Sequence, residues 1–238
     1  MRKMMTGIVC VLAGLFWGCA LPARAAVMIT DGSAHVQVLS GPQEFTNNGP
    51  LQSDTDLFFF AERADYVLPS NLTVNIDQAG GYDNGSLSSM ADSTIAAGTQ
   101  INSYFIHMDV MHSLTFSNTA ATLYFDEPIL GLIVLDPALT DSDWLGDPDS
   151  IYTPAPEARW TLEPADDRIT LSNDYHTLIF DALRVGSDRP YADQIRIITA
   201  SNSIPEPMVL GLVNLFGFGF IGLNRLMKRA GGAVRTEE

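Results

Sequence analysis

Short apolar runs separated by turn-forming residues recur between residues 27 and 200, and this pattern limits the fold more than any other feature of the sequence. The runs are rich in β-branched and aromatic residues, which is typical of strands, and long stretches with helical period are absent. The candidate strands are residues 27–30, 35–39, 57–61, 64–68, 72–76, 100–109, 113–117, 121–125, 129–136, 159–162, 168–171, 177–182 and 194–200. So many short strands predict an all-β body, which we expect to be a single β-sandwich of jelly-roll type.

Two further local predictions concern the middle of the body. Residues 82–86 read Tyr-Asp-Asn-Gly-Ser, and the pair Asn84 and Gly85 indicates a tight turn with positive φ. Residues 88–98 are expected to hold a short helix. The body contains no internal repeat and no linker long enough to divide it, so we expect one domain, residues 26–202.

The first 25 residues have the three parts of a secretory signal peptide. Arg2 and Lys3 make the start basic, and residues 7–21 form an apolar run that is too short for a comfortable membrane span. Ala23 and Ala25 then supply the small residues that signal peptidase recognises. We therefore expect export, with cleavage after Ala25.

A second apolar stretch covers residues 208–227, and its length matches that of a transmembrane helix. Arg225, Lys228 and Arg229 stand at its end, and a basic cluster after an apolar run is typical of the cytoplasmic side. The sequence therefore predicts one C-terminal membrane helix, with the body outside and residues 231–238 as a cytoplasmic tail.

A proline-rich tripeptide, Pro205, Glu206 and Pro207, stands directly before this helix. Together with the apolar stretch and the basic end, it closely resembles the PEP-CTERM sorting signal of Gram-negative bacteria. The resemblance covers residues 205–229, within a sorting segment that we expect to span residues 203–230. The resemblance implies that an exosortase, a membrane-embedded cysteine protease, recognises the tripeptide, cuts near it and releases or transfers the body to the cell surface. It also implies an association with extracellular polysaccharide and biofilm. The physical chemistry agrees, since prolines keep a peptide extended and a protease cleft binds extended peptides.

Charge and cysteine content narrow the function classes. The chain holds 13 basic and 28 acidic residues, a net charge of -15, and residues 26–204 keep only six basic residues, all Arg, against 25 acidic ones. So acidic a body would repel nucleic acid, which excludes that class of partner. Both cysteines, Cys10 and Cys19, lie in the signal peptide. The mature body therefore has neither disulfides nor thiolate chemistry.

The densest acidic segment spans residues 141–149. Its carboxylates belong to Asp141, Asp143, Asp147 and Asp149. Hard oxygen ligands at such spacing suit Ca²⁺, although Leu145 and Tyr152 occupy two positions where an EF-hand needs ligands. Two interpretations stay open: a calcium site on a sandwich loop, which makes Ca²⁺ the candidate cofactor, and a solvated acidic turn.

The sequence contains no recognisable catalytic constellation. His107 and Asp109 would share one face of a strand, but a third metal ligand is missing, and neither a Gly-x-Ser-x-Gly elbow nor a Ser-His-Asp set occurs. We therefore expect no enzymatic activity. Aromatic rings at a sandwich rim suit sugar faces instead. The aromatic candidates are Tyr82, Tyr104, Trp144, Tyr152 and Trp160, of which Trp144 is the better surface candidate.

The sequence thus predicts an exported surface or extracellular-matrix protein with a structural or adhesive role. Its expected partners are signal peptidase, an exosortase, the inner membrane during transit and extracellular polysaccharide. Two alternatives stay open. In one, the body is a secreted polysaccharide-active enzyme; in the other, residues 208–227 are never cut and the protein remains a single-span membrane protein with an external β domain.

Overall fold

A computed structural model describes residues 27–31, 35–46, 48–87, 91–111, 117–153, 167–185 and 192–201 of the chain. All of them belong to one unit, Met1–Ser201. The predicted signal peptide, the sorting segment 203–230 and the tail lie outside the described residues, as do the candidate strand 159–162 and most of 113–117. Among the residues that the structure describes, no helix is long and apolar enough to cross a membrane.

The described residues are mostly strands, so the prediction of an all-β class is confirmed. The strands are β1 (Val27–Asp31), β2 (His35–Leu39), β3 (Glu44–Phe45), β4 (Asp56–Val67), β5 (Leu72–Val74), β6 (Gly80–Asp83), β7 (Ser93–Ile95), β8 (Gln100–Met108), β9 (Ser117–Phe125), β10 (Ile129–Ile133), β11 (Ile151–Tyr152), β12 (Arg168–Leu171), β13 (Thr177–Val185) and β14 (Asp193–Ala200). The helical segments are α1 (Asn84–Leu87), α2 (Ala138–Asp141) and a 3₁₀ turn at Asp143–Leu145.

Most of these strands form two five-stranded sheets. Sheet I has the order β1-β9-β13-β12-β6, and all of its neighbouring strands are antiparallel. Sheet II has the order β10-β14-β8-β4-β2 and is antiparallel except for the edge pair β2 and β4. Two small ribbons, β3 with β11 and β5 with β7, complete the described strands.

The two sheets share one hydrophobic core. Sheet I contributes Leu123 and Phe125, and sheet II contributes Phe59 and Tyr104, all of them buried. The ring centroids of Tyr104 and Phe125 lie 5.3 Å apart and join the sheets. Buried residues alternate with more exposed ones along β12, because successive side chains of a strand point to opposite faces.

The other face of sheet II carries a second core, which β3, β5, β7 and the segment from α2 to the 3₁₀ turn cover. Phe45 of β3 is fully buried, with its ring centroid 5.0 Å from that of Phe105 and 5.4 Å from that of Phe60. Because both faces of sheet II are covered, the side chains of β8 and β14 are buried along almost their whole length.

The prediction of separate strands at 57–61 and 64–68 is wrong, because β4 is continuous through both. Its pairing with β8 shifts register between Ala61 and Arg63 and again between Arg63 and Tyr66. Asp65, in the second shift, has φ 55°. Bulges of this kind place extra residues within a paired strand, so the polar residues in the middle of β4 do not end it.

The predictions for residues 82–98 are also wrong in part. Asn84 and Gly85 begin helix α1 instead of forming a turn of positive φ. The backbone N–H of Ser86 donates to Asp83 Oδ1 at 2.8 Å, as at the start of a helix. Where a helix was expected, Ser93–Ile95 is strand β7, whose pairing with β5 buries Ile95.

Candidate functional site

A cleft opens between the β5–β7 ribbon and the segment that runs from the end of β10 through α2 to the 3₁₀ turn. Its volume is about 350 Å³, within the range of small-ligand sites. The lining residues are Asn71, Leu72, Thr73, Asn75, Asp92, Leu135, Asp136, Pro137, Ala138, Asp141, Ser142 and Trp144. The lining combines an aromatic ring, amides, hydroxyls and carboxylates, and none of the described residues in it is Lys, Arg or His.

The aromatic part of the cleft is Trp144, whose side chain is 38% exposed. In the 3₁₀ turn, the side chain of Leu145 is fully buried, whereas that of the preceding residue, Trp144, lies at the surface. The Trp144 ring stands 6.2 Å from the ring of Tyr66, at an interplanar angle of 49°. Arg63 supports this pair, since its guanidinium lies 5.4 Å from the Tyr66 ring centroid and its Nε donates to the carbonyl of Leu145 at 3.2 Å.

Two asparagines give the cleft fixed amide groups. Asn75 is buried, and its Oδ1 accepts from the backbone N–H groups of Val134 and Leu135 at 2.8 and 3.0 Å. Oδ1 of Asn71 accepts from the N–H of Ala97 at 3.0 Å. A backbone N–H donates only to the oxygen of an amide, so these contacts fix which end of each side chain is the NH₂ donor.

Three carboxylates, those of Asp92, Asp136 and Asp141, line the cleft and are exposed. Asp92 Oδ1 accepts from Nδ2 of Asn75 at 2.8 Å, and Asp136 Oδ1 accepts from the hydroxyl of Thr140 at 2.7 Å. A carboxylate offers about four acceptor positions, so each retains capacity for a ligand. The cleft can therefore bind a neutral molecule that both donates and accepts hydrogen bonds and that has an apolar face for Trp144.

Beneath the cleft wall, a buried arginine anchors the segment that carries Trp144. Nη1 of Arg196, in β14, donates to the carbonyl of Leu139 at 3.2 Å and to the hydroxyl of Ser142 at 2.6 Å. Nη2 lies 3.4 Å from Oδ1 of Asp143. These contacts hold both α2 and the 3₁₀ turn against sheet II.

The same guanidinium forms a two-point ion pair with Glu62 of β4. Nε lies 2.8 Å from Oε2 and Nη2 lies 2.9 Å from Oε1, and both side chains are fully buried. Ser103 donates its hydroxyl proton to Glu62 Oε2 at 2.6 Å. The guanidinium carbon also lies 5.1 Å from the ring centroid of Phe105 and 5.4 Å from that of Tyr152.

The electrostatic interactions of this cluster keep Arg196 and Glu62 ionised. Burial raises the pKa of Glu62, but the charge of Arg196 and the hydrogen bonds from Arg196 and Ser103 outweigh burial and bring the pKa below its ordinary value. Burial lowers the pKa of Arg196, and the negative charge of Glu62 more than reverses this. Burial, and then the charge of Glu62, raise the pKa of Tyr152. At neutral pH the pair is therefore ionised and Tyr152 is neutral, which suits a structural anchor.

The structure does not gather the four predicted calcium ligands. Asp141, at the end of α2, lines the cleft, whereas Asp143 in the 3₁₀ turn faces Arg196. Asp147 and Asp149 lie in the following turn, where Asp147 Oδ1 accepts from the N–H of Asp149 at 2.9 Å. Helical backbone at 138–145 turns neighbouring carboxylates in different directions, where an open loop would let them converge. Among the described residues, no group of three or more His, Cys, Asp or Glu side chains could hold a metal ion.

His107 and Asp109 have separate structural environments. Nδ1 of His107 lies 3.1 Å from Nε2 of Gln194, and its Nε2 lies 3.2 Å from the carbonyl oxygen of Leu51. The tautomer that donates from Nε2 and accepts at Nδ1 satisfies both contacts. Asp109 follows the end of β8 and accepts from the N–H of Asn48 at 2.7 Å. Burial raises the pKa of Asp109.

Of the five aromatic candidates, Trp144 is the one that the described residues place on a cleft. Tyr82 and Tyr104 are buried in the core between the sheets. Tyr152 packs against Phe45 and Arg196, and Trp160 lies outside the described residues. The predicted sorting tripeptide, the basic cluster after the apolar stretch 208–227 and the predicted cleavage site at Ala23 and Ala25 also lie outside them.

Sequence reasoning missed two parts of this site. Arg196 carried one usable signal, because it interrupts the apolar run of a strand that is buried along almost its whole length. Glu62 carried none, because it stands beside other polar residues in the middle of β4. The sequence gives no sign that the cleft includes Asn71, Asn75 and Asp92, because only the fold brings the β5–β7 ribbon close to α2.

Comparison with known proteins assigns no family to the chain. No family model, curated protein or solved structure matches it. The functional assignment therefore depends on the cleft and on the terminal segments of the sequence.

Proposed function

We propose that the protein is an exported surface or extracellular-matrix protein, sorted by an exosortase-type system, whose β body binds extracellular polysaccharide without transforming it. The sorting part is supported by the order of segments in the sequence: an N-terminal segment with the pattern of a signal peptide, the body, Pro205 to Pro207, an apolar stretch and a basic end. The final location is then the cell surface or matrix, after passage through the inner membrane.

The limits of the described strands are compatible with processing at both ends. Strand β1 begins at Val27, just after the expected signal cleavage site, and β14 ends at Ala200, before the tripeptide. Both cuts therefore leave the described strands intact. The two sheets with a common core support a β-sandwich, which we propose is of jelly-roll type.

The observation that carries the binding function is the exposed Trp144 ring on a cleft lined by fixed amides and carboxylates. The flat apolar face of a pyranose stacks on such a ring, and its hydroxyls both donate and accept hydrogen bonds. Asn71 and Asn75 supply donors, and Asp136 and Asp141 supply acceptors. A structural or adhesive role follows, because a surface protein that holds matrix polysaccharide links the cell to it.

The test uses the mature protein from its native host and the polysaccharide extracted from the same matrix. We expect Trp144→Ala to weaken binding about tenfold, because the stacking surface is lost. Tyr124→Ala is the matched control, since Tyr124 is also an aromatic residue that is 38% exposed but lies in sheet I. Equal loss in both variants, or none in Trp144→Ala, would contradict the binding function.

The carboxylates that share the cleft keep a polysaccharide-active enzyme as the second candidate. A glycosidase needs two carboxylates on opposite sides of the scissile bond, and Asp136 and Asp141 both line the cleft. The same polysaccharide distinguishes the two functions: a binding protein leaves its chain length unchanged during long incubation, whereas an enzyme shortens it and loses this activity in Asp141→Asn.

A further inference from the structure

We propose that the cleft selects polysaccharide without negatively charged groups, that is, neutral hexose chains, and rejects chains of uronic acids. This inference rests on the proposed binding function and names the ligand class of the same site. It is carried by the charges that line the cleft and by the way its hydrogen-bonding groups are held.

The charges in the cleft are all of one sign. Asp92, Asp136 and Asp141 line it, and none of the described residues that line it is Lys, Arg or His. Two described cations lie near its wall: Arg196 pairs with Glu62 beneath α2, and the Arg63 guanidinium lies against the Tyr66 ring. A uronate bound here would face three carboxylates and no cationic side chain among the described lining residues, so its negative charge would be repelled.

The hydrogen-bonding groups favour neutral hydroxyls over anions. Nδ2 of Asn75 donates to Asp92, so at most one of its two hydrogens is left for a ligand. The cleft thus offers few donors and an excess of acceptors. A hydroxyl can donate to a carboxylate, whereas the carboxylate that replaces one hydroxymethyl group in a uronic acid can only accept, so any acceptor of the cleft that faces this carboxylate stays unmatched.

The site is also pre-formed, which helps it to discriminate between neutral and negatively charged polysaccharides. The backbone N–H groups of Val134 and Leu135 hold Asn75, and Arg196 holds the segment that carries Asp141 and Trp144. Groups held in this way cannot turn aside at low cost to accommodate a charged ligand.

The experiment compares two oligosaccharides of equal length and linkage, one of neutral hexoses and one of the corresponding uronic acid, on the mature protein. We expect the neutral chain to bind at least about tenfold more tightly at low salt, and the ratio to fall as salt screens the carboxylates. In Asp136→Asn with Asp141→Asn, the uronic acid should gain affinity and the ratio should fall several-fold.

The control pair, Asp126→Asn with Asp149→Asn, makes the same change of net charge at exposed acids that do not line the cleft, and it should leave the ratio unchanged. Circular dichroism and the thermal midpoint establish that both pairs fold. Equal binding of the two oligosaccharides in the wild type, or an equal shift in both variant pairs, would overturn the selectivity while leaving Trp144-dependent binding in place. If neither oligosaccharide binds the wild type and the matrix polysaccharide also fails, the proposed function falls with it.

Discussion

The buried pair of Arg196 and Glu62 offers a prediction whose size follows from the structure. Arg196→Met leaves the Glu62 carboxylate fully buried without its counter-charge, and Glu62→Met does the same to the guanidinium. Removing one member of a buried ion pair costs about 3–5 kcal/mol. For a domain of this size, that lowers the thermal midpoint by about 6–20 °C.

The double variant distinguishes the contribution of the ion pair to stability from that of the other hydrogen bonds of Arg196. Arg196→Met with Glu62→Met removes both charges and replaces them with apolar side chains of similar length. We expect it to be more stable than either single variant, because no unpaired charge stays buried. Some loss remains, since Leu139 and Ser142 lose the donor that now anchors them.

The assay is urea unfolding of the mature protein at pH 7, followed by circular dichroism. Arg168→Met is the matched control, because Arg168 is an exposed arginine of β12 and its loss should change the free energy of unfolding by less than about 0.5 kcal/mol. Single variants as stable as this control, or losses that simply add in the double variant, would refute the reasoning.

Two further predictions test the electrostatics and the packing. The pKa of Glu62 lies below its ordinary value of 4.5, so the ionised carboxylate stabilises the fold above that value and the contribution is lost as pH falls through the lowered pKa. The difference in free energy of unfolding between the wild type and Glu62→Gln should therefore be constant near neutral pH and shrink in acid; a difference that grows in acid would contradict the lowered pKa. Gly131→Ala should destabilise the protein by about 1–3 kcal/mol, because the new Cβ would lie 2.8 Å from Cγ2 of Val74. In urea unfolding, Val74→Ala should relieve much of that loss, and additive losses would show that the contact is not the cause.

Strands with a clear local pattern could be predicted from the sequence. His35–Leu39 and Arg168–Leu171 have the predicted limits because polar or turn residues bound each apolar run. Continuous runs such as Gln100–Met108 were also recognisable, since a strand buried on both faces has no polar side.

Other elements depend on distant partners that leave no local signal. Glu44–Phe45 and Ile151–Tyr152 are two-residue strands that pair with each other in parallel, across more than a hundred residues. The cleft also depends on residues that are distant in sequence. Composition alone favours Trp144 as a surface residue, but Asn75 and Asp92 become part of its site only when the β5–β7 ribbon lies beside α2.

The most direct test of the proposed sorting is the intact mass of the mature protein recovered from its native host. The wild type is compared with a variant in which Pro205, Glu206 and Pro207 are all changed to Ala. We predict that the wild type lacks both residues 1–25 and the apolar stretch 208–227, and that the variant retains this stretch. Retention of residues 208–227 in both proteins would contradict exosortase sorting and favour the alternative of a membrane-anchored β domain.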